Sequence, residues 1–176
     1  MMMSASTASP RSDHRLAVRP IEPGEPQRIV VGLDDTPTAR AALRWAARQA
    51  RLTGAAVRAV HVIDWPIGIE AFGSMEVGED GLLPEEKISG PYRRGIRRVF
   101  EEASPEPGWQ LQFAEGDAGP VLVAESADAD LLVIGTRTTP DWTGDVSGPV
   151  AHHCLSHMTC PVVAVPLAQP QHSPGQ

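Results

Sequence analysis

The sequence predicts an α/β protein, a doubly wound parallel sheet with helices on both faces, and three observations predict it. The apolar runs RIVVGL and LLVI lack polar alternation, as strands buried on both sides do. Segments of helical periodicity separate such runs, so strand and helix alternate along the chain. At 176 residues there is length for one ordinary domain with a core, and too little for two.

Residues 1–26 are rich in Ser, Thr, Pro and Arg and poor in apolar residues, which predicts a flexible arm; 168–176 have the same character and predict a flexible tail. The folded unit expected between them is 27–167. Its first strand is Arg28 to Leu33, closed by Asp34, Asp35 and Thr36 ahead of Pro37, the chemistry of a helix start with proline at the first helical position. In the helix that follows, Ala39, Ala42, Leu43, Ala46, Ala47 and Ala50 recur at helical spacing, with Arg40, Arg44, Arg48 and Arg51 on the other side. Small residues on the buried stripe imply close packing on the sheet. Gly54 ends this helix, and 55–63 form the second strand.

The next stretch, 64–90, is long, acidic and broken by Gly and Pro, and reads as a loop. A second helix follows with an apolar stripe of Tyr92, Ile96, Val99, Phe100 and Ala103. WQLQFAEG alternates, placing Trp109, Leu111 and Phe113 on one face of a strand at the sheet edge. After the turn GDAGP come a short helix near 120–128, the strand Leu131 to Ile134, a loop from Gly135 to Gly148, a helix near 149–158 and the last strand, PVVAVP.

Composition removes several classes of function. A net charge of −7 argues against a surface built for nucleic-acid backbone, and no apolar run approaches the ~18 residues of a membrane span. With neither a signal peptide nor a cysteine framework, a cytoplasmic location is expected. Cysteines 154 and 160 lie in one segment with His152, His153 and His157. Helical periodicity turns Cys154 toward the core and His152 and His153 outward, so these ligand types diverge and no metal site is expected. Ser104 and Ser126 lack an evident activating base, and no catalytic residue is assigned.

Four pieces in this order, RIVVGLDDTPTARAALRWAARQA, AVHVID, EGD ahead of Pro120, and LLVIGTR…SGPVAHHCLSHMTCPVVAVP, together resemble the universal stress protein family. The resemblance implies a five-stranded sheet in the order 3-2-1-4-5, of the adenine nucleotide alpha hydrolase-like type, a homodimer using the C-terminal strand, and a regulatory stress-response role. It also implies, in the nucleotide-binding members, a motif of glycine, two residues, glycine, nine residues, glycine, then serine or threonine. On this chain the first and third glycines are Gly135 and Gly148, the second falls on Thr138, and the hydroxyl position on Pro149. Threonine resists the close backbone approach and positive φ that glycine permits, and proline has neither hydroxyl nor N–H. The nucleoside half is better matched: Gly32 and Val62 fall along the adenine wall, and Asp34 where the family places an acid near ribose or its metal.

The candidate site is therefore Gly32, Asp34, Val62, Gly135, Arg137, Thr138, Gly148 and Val150, with ATP or AMP and Mg as the implied ligand and weak or absent triphosphate binding. Arg137 is a candidate phosphate partner, and Thr136, Thr139, Thr143 or Ser147 are candidate hydroxyls; solvated loop polarity accounts for them equally well. Trp142 reads as a cap of the loop on the sheet. Two functions stay open: an adenine-nucleotide sensor, or a nucleotide-independent dimeric scaffold that meets protein partners through 64–90 and the arm.

Overall fold

The computed structural model describes residues 27–64, 84–138 and 146–167. The arm, the tail, most of the 64–90 stretch, Thr139, Trp142 and Thr143 lie outside them. In chain order the elements are β1 (Arg28–Gly32), α1 (Pro37–Thr53), β2 (Ala56–Ile63), α2 (Pro84–Glu101), β3 (Gln110–Glu115), α3 (Ala118–Glu125), β4 (Leu131–Thr138), β5 (Val146–Ser147), α4 (Pro149–His157) and β6 (Val162–Pro166). Five parallel strands lie in the order β3-β2-β1-β4-β6, which is 3-2-1-4-5 once the two-residue β5 is set aside. β5 runs antiparallel to the end of β4, with Thr138 opposite Val146 and Arg137 opposite Ser147.

Strand parity divides the core into two layers, because successive side chains leave a strand on opposite faces. Ile29, Val31, Val57, Ala59 and Val133 meet α1 and α2 on one face. Val30, Val60, Leu132 and Ile134 meet Leu122 of α3 and Ala151 and Cys154 of α4 on the other. α1 buries the six residues of its predicted stripe, and the small size of the stripe's five alanines lets the helix lie close to the strands. Its ends are built locally. Thr36 is the N-cap, its hydroxyl accepting from Ala39 N at 3.2 Å, and Gly54 closes the helix at φ 73°.

Several boundaries differ from the sequence expectation, each for a physical reason. Residues 84–90, expected as loop, are the start of α2. Pro84 followed by Glu85 and Glu86 is a helix-start signal, proline at the first position with acids in the first turn, and it outweighs the interruption at Gly90 and Pro91. Ile96, Val99, Phe100 and Ala103 are buried as expected, whereas Tyr92 is 49% exposed and sets its ring edge-on against His61. α3 begins at Ala118 and ends at Glu125, because Asp117 accepts from Gly119 N at 3.3 Å and starts the helix ahead of Pro120. β4 continues through Thr138, so the expected loop opens as strand, its β-branched threonines suiting the extended chain and its far end pairing with β5.

Candidate functional site

The first strand runs up the middle of the sheet, and the chain leaves it toward β2 on one side and later returns to β4 on the other. Side-by-side strands whose connections diverge leave a crevice beyond their carboxyl ends. A cavity of about 160 Å³ opens there, and Gly32, Asp34, Val62, Gly135 and Val150 all line it. Residues far apart in sequence are thus brought to one place by the topology. Arg137 and Gly148 are not among its walls, and the Thr138 side chain lies outside the described ones.

Each glycine is held for its own reason. A Cβ on Gly32 would lie 3.0 Å from Leu122 Cδ1 and 3.4 Å from Ile134 Cγ2, so the β1 wall is flat because α3 and β4 press against it. On Gly135 a Cβ would sit 2.6 Å from the Thr38 carbonyl carbon and 2.8 Å from Ala39 N, inside the backbone of α1. That close approach requires glycine whether or not a phosphate is bound. Gly148 has open space around it, and its φ of 137° supplies the requirement instead.

Asp34 is exposed at the rim, and its Oδ1 accepts from Thr36 N at 2.8 Å and from Thr36 Oγ1 at 2.5 Å. The carboxylate therefore holds the residue that caps α1, while Asp35 turns away to pair with Arg40. Burial, and next the charges of Asp34 and Asp35, raise the Tyr92 phenol above its ordinary pKa. No arginine or lysine lines the cavity among the described residues, so its charged wall is a carboxylate. α4 starts at this cavity, which Val150 lines. Its N-cap, Gly148, offers no side-chain hydrogen bond, and His152 N bonds back to Gly148 O at 3.0 Å. With Pro149 lacking an N–H, the first-turn donors left by helix geometry are Val150 N and Ala151 N.

His61, which sequence reasoning passed over, also lines the cavity. It is 2% exposed, and since a carbonyl only accepts, its Nδ1 carries the proton donated to Leu33 O at 2.6 Å. Nε2 has no partner among the described residues. The signal was the parity of β2: His61 shares a face with Val57 and Ala59, a core face where an imidazole calls for a hydrogen-bond partner.

The other constellations also resolve. Cys154 is fully buried, and burial pushes its thiol up to about 11. His152 is exposed, but His153 packs on α3, where a Cβ on Gly119 would be 2.8 Å from its ring, and it stacks on His157 with centroids 4.2 Å apart. Leu155, next to Cys154 on α4, is 47% exposed. No group of three or more potential metal ligands comes together among the described residues. Ser126 is buried and donates to Leu122 O at 2.7 Å, a helix-end role. Thr136 is buried and does not line the cavity.

The signature of the universal stress protein family matches residues 25–166. Universal stress protein Rv2623 of Mycobacterium tuberculosis is 34% identical over 142 residues, which cover 78% of this chain and 46% of that protein. The chain spans about half the length of the curated relatives it matches. Among solved structures, the universal stress protein UspA from Lactobacillus plantarum superposes with a TM-score of 0.58 at 19% identity, covering 79% of this chain and 97% of that one. A universal stress protein in complex with cAMP superposes at 0.51 with 18% identity, covering 79% and 95%. At such identities the likeness concerns the fold. No helix among the described residues is long and apolar enough to cross a membrane.

Proposed function

The chain belongs to the universal stress protein family, and from that premise we propose that it is a stress-response module whose cavity takes a nucleoside monophosphate more readily than a triphosphate. The observation that carries the reading is the convergence of Gly32, Asp34, Val62, Gly135 and Val150 on one cavity at the strand ends. A flat glycine wall beside Val62 on the same sheet face suits the ring of a base, and the Asp34 carboxylate is an acceptor suited to ribose hydroxyls. The N–H groups of Val150 and Ala151 suit one phosphate at the start of α4. A fold neighbour bound to cAMP, itself carrying one phosphate, supports the same ligand class.

A triphosphate fits less well. Thr138 and Pro149 stand where the family motif has a glycine and a hydroxyl, and no cation lines the cavity among the described residues. A hydrogen bond to a charged group contributes about 1.5–3 kcal/mol, so two missing donors weaken binding by about 10² to 10⁴. Magnesium would then have little to bridge. The module acts by binding rather than catalysis, as a cytoplasmic homodimer, and ligand drives a change only through different affinities for two states. The unit that does this is 27–167, with Arg137 opposite Ser147 of β5 and Gly148 at the start of α4.

Calorimetric titration with AMP and with ATP plus magnesium tests this. Saturable AMP binding with ATP no tighter is the expected result, and Thr138→Gly with Pro149→Ser should then strengthen ATP selectively. ATP binding at least tenfold tighter than AMP in the unmutated chain would refute the impaired cradle. No saturation with either would leave the nucleotide-independent scaffold as the reading.

A further inference from the structure

The net charge of −7 conceals a division by element. α1 carries Arg40, Arg44, Arg48 and Arg51 and no acid. α2 carries Lys87, Arg93, Arg94, Arg97 and Arg98 against Glu85, Glu86 and Glu101. Nine bases against three acids give these two helices +6, which leaves −13 for the rest of the chain. Both helices pack on the same face of the sheet, so the charge of their described side chains is gathered on one side of the molecule.

Part of it is used internally. Arg40 pairs with Asp35 and Glu102, Arg51 pairs with Glu106 at 3.2 Å and lies over Trp109, and Arg93 lies over Phe113. Arg44, Arg48, Arg94, Arg97 and Arg98 are exposed and make no ion pair among the described residues. Between α1 and the end of α2 runs a groove of about 590 Å³ with Arg44 and Arg51 on one side, Glu102 and Glu106 on the other, and Ala47 and Ala103 among its walls.

We propose that the α1/α2 face is a docking surface for an extended acidic segment of a protein partner. The spacing supports an extended chain: arginines four apart on a helix rise about 6 Å, and acids at alternate positions of an extended strand repeat at about 6.7 Å. The chemistry is already present on this face, where Glu102 and Glu106 hold Arg40 and Arg51 as carboxylate–guanidinium pairs. The same two acids and the −13 elsewhere keep the positive run short, which suits a peptide and disfavours a long polyanion such as duplex DNA. The inference stands apart from the nucleotide cavity, which lies at the strand ends.

The experiment is fluorescence anisotropy of a labelled peptide of alternating Glu and Ala titrated with the full chain, beside a short DNA duplex and sedimentation of the chain alone. Saturable peptide binding that weakens with salt is expected, as is a loss of about tenfold or more in the variant Arg44→Gln, Arg48→Gln, Arg94→Gln, Arg97→Gln, Arg98→Gln. Should that variant fail to fold, Arg48→Glu with Arg97→Glu must give the same loss. The proposal is overturned by absent saturation, by affinity that these changes leave intact, or by tighter binding of the duplex. It is equally overturned if the changes abolish self-association of a chain that ignores the peptide, since the occupant is then a second copy.

Discussion

Gly135 shows how one residue answers to two demands. The motif reading assigns it to phosphate, while the structure places Thr38 carbonyl carbon 2.6 Å from where its Cβ would be. Gly135→Ala should therefore destabilise the fold by about 1–3 kcal/mol through overpacking, read as a lower urea midpoint in the absence of any nucleotide. An unchanged midpoint would mean α1 yields at that contact. Cys154 supports a pH prediction. Its folded pKa, about 11, lies above the ordinary 9.0, so burial favours the neutral thiol. Stability from this group is complete below about pH 9 and is lost as pH rises toward 11, by about 2–3 kcal/mol. Thermal unfolding across that range should show the fall, and Cys154→Val should flatten it; equal slopes in both proteins would refute the assignment.

At the scale of elements, α1 was legible almost to the residue because its signals are local. Thr36, Pro37, six buried residues, five of them alanine, and Gly54 all sit in one stretch and agree. The same locality makes its cap testable: Thr36→Ala should cost about 1 kcal/mol in chemical denaturation, and a neutral result would show that Asp34 can cap in its place. At the start of α2, Gly90 and Pro91 read as a boundary in the sequence, yet the helix runs through them. The apolar run that marks β4 in the sequence stops at Ile134, short of the strand's end at Thr138, for a related reason. Its continuation depends on partners, Pro166 opposite Thr136 and Val146 opposite Thr138, that no local pattern reveals.

For the whole molecule, the order of strands among the described residues puts β6 at one edge, paired there to β4 on its inner side only. An open edge invites a second copy, and sedimentation velocity should find a two-chain species; a monomer at every concentration would remove the homodimer from the proposed function. The sequence by itself determined the alternation of strand and helix, the buried stripe of α1, the chemistry of its ends and the family, because these follow from periodicity and from residues near one another in the chain. Only the tertiary structure decided that Gly135 is pressed against α1, that His61 bonds the end of β1, and that the arginines of two separate helices share one side. Those facts are contacts between distant segments, and their energies depend on distances that exist only after the sheet has assembled.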